Sequence, residues 1–204
     1  MSDTASPRLS PFAGHLPPGR TGRPDGQPRL TVIPRPELQI VQVAGRPEQT
    51  TGLAKAIAAG LRVTPPIDPN MANRETGLAA IWTGPCRWLF VADHDGPSGL
   101  NNQLSDLLAD NPAAVTDLSH ARAVLNISGT HVRDVLAKGC GLDFHPARFT
   151  TDHCAQTSIA HTAVLIECRG TDQFDLYISR SYAVFLSDWL INAGREYGVD
   201  VSEN

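Results

Sequence analysis

A repeated order of predicted secondary structure constrains the fold of this 204-residue chain more than any single motif does. Apolar periodicity and Gly/Pro boundaries predict a strand, a helix, two strands and a helix, and then the same order again. The first series occupies residues 38–43, 47–59, 77–83, 87–92 and 98–109, and the second occupies residues 122–127, 130–139, 159–168, 174–179 and 181–197. A chain with this order is expected to build two similar units.

Two short echoes support the repeat. Residues 104–108 (LSDLL) correspond to residues 186–190 (LSDWL), and residues 43–45 (VAG) correspond to residues 127–129 (ISG), at offsets of about 82 and 84 residues. We therefore predict an α+β fold of two related βαββα units, in which helices cover antiparallel sheet as in ferredoxin-like repeats. The predicted globular domain covers residues 37–204, with halves at about 37–117 and 118–204.

The first 36 residues differ in composition from the rest. They hold eight of the 16 prolines, and their apolar residues follow no period, so we predict a disordered tail over residues 1–36. Five arginines against two aspartates give this tail a formal charge of about +3, and the net charge of −4 leaves about −7 on the remainder. A basic tail either docks on a partner or only aids solubility.

Charge and hydropathy exclude several classes of protein. No run approaches 18 apolar residues and no basic segment precedes an apolar one at the start, so we expect neither a membrane span nor a secretory signal, and a cytoplasmic location. The net charge of −4 argues against nucleic-acid binding. The four cysteines contain no C-x-x-C pair and are predicted to be small buried residues.

The sequence offers few residues for catalysis or metal binding. It lacks a G-x-S-x-G elbow, a P-loop, a G-x-G-x-x-G turn and an H-E-x-x-H helix. Ser119 and His120 are adjacent, so a strand would point them to opposite faces. The histidines and cysteines with ligand chemistry fit no zinc spacing, and we expect surface or capping roles for them: His145, His153, His161, Cys140 and Cys154. We predict no catalytic, cofactor-binding or metal-binding residue.

Several short motifs carry a resemblance to a known family. They are residues 117–120 (DLSH), 127–129 (ISG), 133–140 (RDVLAKGC), 142–146 (LDFHP), 154–157 (CAQT), 174–177 (FDLY) and 180–183 (RSYA). In order and spacing these motifs resemble the gamma subunit of heterotetrameric sarcosine oxidase, over roughly Gly84 to Gly198. Residues 37–83 agree only in general pattern, and the tail does not agree.

The resemblance implies a role inside an assembly. Enzymes of that family oxidise the N-methyl group of sarcosine to give glycine, hydrogen peroxide and formaldehyde, or methylenetetrahydrofolate when tetrahydrofolate captures the one-carbon unit. NAD and folate sites belong to the alpha subunit, FAD to the beta subunit, covalent FMN to their boundary and zinc to the delta subunit. The resemblance assigns no cofactor to gamma, whose fold is similar to the folate-binding part of the glycine-cleavage aminomethyltransferase.

One departure from a related family concerns folate. Lys138-Gly139-Cys140 matches the start of the Lys-Gly-Cys-Tyr motif of folate-dependent iron–sulfur maintenance proteins, but Gly141 follows it and the later Gly-Gln part is missing. No carboxylate matches the catalytic one of the aminomethyltransferases, so no folate site is assigned.

Three hypotheses remain. The chain is a non-catalytic gamma subunit supporting alpha and beta, a stand-alone folate-dependent enzyme, or a gamma-like subunit of a sister complex acting on another N-methyl amino acid such as N-methylglutamate. An obligate interface buries more than about 2,000 Å². The residues we predict for a subunit interface are Trp82, Trp88, Arg133 and Arg180. The two arginines would otherwise make only local surface pairs or cap a helix.

Overall fold

The computed structural model describes residues 10–23 and 26–202. Within them the chain forms β1 (Gly19–Thr21), β2 (Leu30–Pro34), β3 (Gln39–Ala44), α1 (Thr50–Leu61), β4 (Ala72–Glu75), β5 (Leu78–Gly84), β6 (Arg87–Ala92), α2 (Leu100–Leu107), β7 (Ala114–Asp117), β8 (Arg122–Ser128), α3 (Val132–Ala137), β9 (Cys154–Ile159), β10 (Thr162–Gly170), β11 (Gln173–Ser179), α4 (Ala183–Gly194) and β12 (Val199–Val201).

The strands form two sheets. The first has the order β4-β5-β6-β3-β7, and the second has the order β1-β12-β2-β8-β11-β10-β9. Neighbouring strands are antiparallel except for the parallel pair β12 and β2. The chain passes from the first sheet to the second between β7 and β8. The predicted α+β fold of two related units, with helices on antiparallel sheet, is confirmed.

Each unit contains two strands more than predicted. From β3 to β7 and again from β8 to β12 the order is strand, helix, three strands, helix, strand. Of these four added strands β9 has six residues, whereas β4, β7 and β12 have only three or four. Strands this short lack the alternating apolar pattern that identifies a strand from sequence.

The two sheets pack face to face, and the helices cover the outer faces. Apolar residues of α1 and α2 pack on the first sheet, and those of α3 and α4 pack on the second. A third cluster, between the sheets, joins residues such as Ile40 and Leu89 of the first sheet to Leu165 and Tyr177 of the second. The central strands β3, β6, β8, β10 and β11 alternate between a helix-facing side and a side that faces the other sheet.

The predicted echoes lie at equivalent places in the two units. Residues 43–45 end β3 and residues 127–129 end β8, where the chain leaves the sheet toward a helix. A Cβ atom at Gly45 would lie 2.4 Å from Cδ1 of Leu53, and one at Gly129, where φ is +130°, would lie 2.2 Å from the carbonyl oxygen of Arg29. Glycine is therefore required at both strand ends by close packing.

The prediction of a disordered tail is wrong for residues 10–23 and 26–36. β2 pairs with β8 and β12 in the middle of the second sheet, and Leu30 and Val32 are fully buried. Phe12 and Leu16 join the same core. The strand partners of this segment lie about 90 to 180 residues further along the chain, so no local pattern predicts its burial. Residues 1–9 and 24–25 lie outside the described residues.

The longest helices of the described residues, α1 and α4, have 12 residues each. No helix of these residues combines the length and the apolar run that crossing a membrane requires.

Candidate interaction surfaces and the polar layer between the sheets

Asp175 is the centre of a buried cluster of charges between the sheets. The side chain has no exposure, and its Oδ2 accepts hydrogen bonds from Arg35 (3.2 Å) and Arg169 (2.5 Å). Its Oδ1 accepts one from the amide of Asn126 (2.6 Å), and Arg35 also lies 3.5 Å from Asp93. Because a buried carboxylate is costly without partners, two guanidinium groups and an amide make this site stable.

A second buried cluster joins the two sheets directly. Nη2 of Arg74, on β4, lies 2.5 Å from Oε1 of Glu167 on β10, and the hydroxyl of Tyr177 donates to Oε2 at 2.7 Å. Burial is the largest influence on the pKa of Arg74 and lowers it, but the charges of Glu167, Tyr177 and Asp175 and the hydrogen bond to Glu167 together raise it, and the net pKa lies above its ordinary value. Burial, and then the charge of Glu167, raise the pKa of Tyr177 well above its ordinary value. We call these two clusters together the closed end of the layer between the sheets.

The cysteines are buried and unpaired, as predicted. Burial, followed by the charge of Glu167, raises the pKa of Cys154 to about 12. Its Sγ donates to the carbonyl oxygens of Met71 and Trp82, both at 3.4 Å. Cys154 therefore remains a neutral thiol that joins β9 to the first sheet.

The other end of the same layer is open. A cleft of about 470 Å³ lies there, and its lining includes Gln42, Thr83, Arg87, Leu89, Arg122, Gln156, Leu165 and Tyr177. Arg87 is exposed and Arg122 is half-buried. Within the described residues, neither guanidinium group has a hydrogen-bond or ion-pair partner. We call this region the open cleft.

Trp88 was predicted at a subunit interface, and that prediction is wrong. Its side chain is fully buried beneath the helices of the first unit, and its Nε1 donates to the carbonyl oxygen of Pro66 at 2.7 Å. Trp82, its partner across the β5–β6 pair, is half-buried and precedes Thr83 at the rim of the open cleft. The two tryptophans therefore have different environments, which the apolar pattern of two paired strands does not distinguish.

Arg133 has a structural role within the chain. Its side chain is only 12% exposed, and it donates to the carbonyl oxygens of Phe144 (2.6 Å), Phe149 (3.1 Å) and Thr171. Its guanidinium carbon also lies 5.0 Å from the centre of the Phe174 ring. These contacts hold the segment after α3 against the core, and the interface role predicted for this arginine stays a prediction.

Arg180 adjoins an exposed aromatic patch. It begins a 3₁₀ turn before α4, and its backbone N–H donates to Ala121 at 2.9 Å. Tyr182 and Phe185 follow it with 54% and 52% exposure. The hydroxyl of Ser181 contacts that of Ser179 at 3.3 Å and does not cap a helix. Arg180 therefore lies beside a surface suitable for a partner, which we call the aromatic patch.

The residues with ligand or catalytic chemistry occupy structural positions. Ser119 is buried, and its Oγ accepts a hydrogen bond from the backbone of Ile40 at 2.9 Å, whereas His120 is exposed. In the described part of the chain, the one group whose potential metal-ligand atoms lie within 4.8 Å of one another is Asp93, His94 and Asp95. Its Asp93 already pairs with Arg35.

Sequence reasoning did not identify the polar residues of the closed end or of the open cleft. Asp175, Glu167, Arg87 and Arg122 lie on strands, and each has a residue of the cluster between the sheets two positions away on the same face, namely Tyr177, Leu165, Leu89 and Val124. Polar residues at such positions were the available signal. They indicate either a buried polar cluster or an opening in the sandwich, and only the fold distinguishes the two.

The double sheet with outer helices defines the fold class of the protein. Glycine cleavage system aminomethyltransferase T from Bartonella henselae is similar to it with a TM-score of 0.65 and 15% identity, over 86% of this chain and 48% of that chain. A likeness at this identity shows the fold alone. The likeness in fold to the glycine-cleavage aminomethyltransferase that the sequence resemblance implied is thereby confirmed.

The family follows from closer relatives. The sarcosine oxidase gamma subunit family matches residues 47–196. The sarcosine oxidase subunit gamma of Corynebacterium sp. strain U-96 is 31% identical over 151 residues, covering 74% of this chain and 72% of that protein, and that of strain P-1 is 33% identical over 147 residues, covering 71% and 69%. A chain of heterotetrameric sarcosine oxidase from Corynebacterium sp. U-96, in complex with pyrrole 2-carboxylate, has a TM-score of 0.81 and 27% identity, over 93% of this chain and 96% of that chain. The chain belongs to the sarcosine oxidase gamma subunit family.

Proposed function

We propose that this chain is the non-catalytic gamma subunit of a heterotetrameric sarcosine oxidase, which demethylates sarcosine oxidatively to glycine. The other products are hydrogen peroxide and formaldehyde, or 5,10-methylenetetrahydrofolate. The observation that carries the proposal is the likeness to a chain of the heterotetrameric enzyme over 93% of this chain and 96% of that one. A match along nearly both whole chains supports the same place in the same kind of assembly.

The proposed partners are alpha, beta and delta subunits, and the proposed cofactors of the complex are FAD, FMN, NAD, tetrahydrofolate and zinc, all held by those partners. The polar groups of the gamma chain fit this division. Within its described residues, no buried side-chain nitrogen or oxygen lacks a hydrogen-bond partner. The closed end is filled by charges that bind one another, so it offers no free group to a buried cofactor.

The proposed role of the chain is to support assembly through its surface. The aromatic patch exposes more than half of both Tyr182 and Phe185, and Ile67 is exposed to a similar degree elsewhere. Aromatic residues are enriched in protein interfaces, where they bury large areas at low entropic cost. We therefore propose Arg180 and the aromatic patch, together with Trp82, as contact sites for partner subunits.

Affinity purification of the tagged chain from its native cells tests the proposal. We expect it to bring down larger subunits with the yellow absorbance of bound flavin, and the eluate to form hydrogen peroxide when sarcosine is added. A tagged unrelated protein of similar size is the control. Turnover by the isolated chain would contradict the proposal, as would an eluate without flavin. Oxidation of N-methylglutamate in place of sarcosine would assign the chain to a sister complex.

A further inference from the structure

We infer that the open cleft between the sheets binds an acidic segment of a partner subunit through Arg87 and Arg122. The inference rests on the proposed function, since it requires a complex. It differs from the proposed aromatic contacts because it concerns a polar cleft at one end of the sheet sandwich.

Strand geometry brings both arginines into the cleft from opposite sheets. On β6, Arg87 lies on the same face of the strand as Leu89 and Val91, which pack in the cluster between the sheets. On β8, Arg122 stands two positions before Val124, which belongs to the same cluster. Because side chains two residues apart share a face of a strand, both guanidinium groups are directed into the layer between the sheets.

The cleft is positively charged in a chain of negative net charge. Its lining contains Arg87 and Arg122 but no aspartate or glutamate. The nearest buried carboxylate, Glu167, is occupied by Arg74 and by the hydroxyl of Tyr177. Two arginines without an internal acidic partner favour a carboxylate, which a guanidinium binds with two parallel hydrogen bonds.

Amide groups beside the arginines favour a peptide segment over a small free anion. Gln42, on β3, has no side-chain hydrogen bond within the described residues. Gln156 donates to the carbonyl oxygen of Thr83 at 2.7 Å, which leaves its own amide oxygen free to accept. Such groups match the N–H and C=O groups of an extended main chain, which must be satisfied when a segment is buried.

The floor and rim of the cleft complete an interface site. Leu89, Leu165 and Tyr177 form an apolar floor, and half-buried Trp82 precedes the rim residue Thr83. Arginine and tryptophan are the residues that most often dominate binding energy at interfaces. The volume of about 470 Å³ lies within the range of clefts that bind small ligands, and it gives room for a short acidic segment.

The test compares co-purification of tagged variants with the partner subunits. We expect Arg87→Glu with Arg122→Glu to lower the recovered flavin at least tenfold, because two like charges then face the acidic segment. The control is Arg148→Glu, at an exposed arginine that does not line the cleft, which should recover as much flavin as the unchanged chain. Recovery with Arg87→Gln and Arg122→Gln should fall less than with the charge reversals.

Additional measurements distinguish the possible failures. Thermal unfolding of the isolated variants should match that of the unchanged chain, which separates lost binding from lost folding. Equal flavin recovery by the charge-reversed and unchanged chains would overturn the inference and leave the proposed function intact. Absence of flavin even with the unchanged chain would overturn the proposed function itself. Stabilisation of the isolated chain by glutarate, with unaffected co-purification of the charge-reversed variant, would assign the cleft to a small anion and overturn the inference.

Discussion

The closed end and the open cleft occupy the same layer between the sheets, yet they use charge differently. At the closed end, Asp175 and Glu167 are each bound by arginines and by a neutral donor. At the open cleft, Arg87 and Arg122 belong to the lining, one from each sheet, and neither has an acidic partner within the described residues. The comparison suggests that paired charges hold the two units together, whereas unpaired ones serve contacts outside the chain.

Removing the central carboxylate should give the largest effect. In Asp175→Ala, Arg35 and Arg169 lose their shared partner in a buried site. The free energy of unfolding should therefore fall by about 3 kcal/mol. The lower part of the usual range applies because both guanidinium groups retain some solvent contact. Urea unfolding followed by circular dichroism measures the change. A loss under about 1 kcal/mol would show that the closed end does not stabilise the fold.

Removing one hydroxyl should give a smaller loss. Tyr177→Phe keeps the ring in place but leaves Oε2 of Glu167 without its 2.7 Å donor. A hydrogen bond to a charged group contributes about 1.5–3 kcal/mol, so urea unfolding should reveal a loss in that range. The control is Tyr182→Phe, at an exposed tyrosine, which should change stability by less than about 0.5 kcal/mol. Equal effects of the two variants would contradict the assignment of Tyr177.

The closed end should also weaken in alkaline solution. Burial raises the pKa of Cys154 to about 12 from 9.0, so above pH 9 the unfolded chain loses this proton while the folded chain retains it. Stability that is present below pH 9 is therefore lost as the pH rises toward 12, with up to about 1.4 kcal/mol per pH unit from this group. The raised pKa of Tyr177 acts in the same direction above pH 10.

Urea unfolding between pH 8 and 11 measures this dependence. Cys154→Ala should be less stable at pH 8, because it leaves a small cavity, but its stability should fall less steeply with pH. Cys86→Ala is a control at another buried cysteine. If the free energy of unfolding fell equally with pH in the unchanged chain and in Cys154→Ala, the claim that folded Cys154 retains its proton would be contradicted.

Local sequence patterns predicted the elements that bury their own apolar face. The predicted helix at residues 47–59 corresponds to a 3₁₀ turn followed by α1, and both predicted strand pairs are present. The predicted strand at 159–168 instead begins at Thr162, because Ala160 and His161 form the turn after β9 with φ of +48° and +65°. The turn contains none of the Gly, Asn or Asp residues that usually mark such a hairpin turn in a sequence, so it carried little sequence signal.

The missed features share a physical cause, which is that distant segments supply their environment. β2 is buried by β8 and β12, and Trp88 is buried while its strand partner Trp82 is not. The four polar residues of the two ends likewise depend on which strand ends meet across the sheets. The family resemblance indicated the fold and the assembly, but it did not indicate which arginines are paired.

The smallest expected effect concerns the stability of the open cleft. Arg87→Gln and Arg122→Gln remove charges that bind nothing within the described chain, so each should change the free energy of unfolding by less than about 0.5 kcal/mol. A small gain is also consistent, because the two cationic groups then no longer share one cleft. Urea unfolding under the conditions used for Asp175→Ala gives the direct comparison. If either variant lost as much stability as Tyr177→Phe, the arginine concerned would stabilise the sandwich itself, and the distinction between the two ends would not hold.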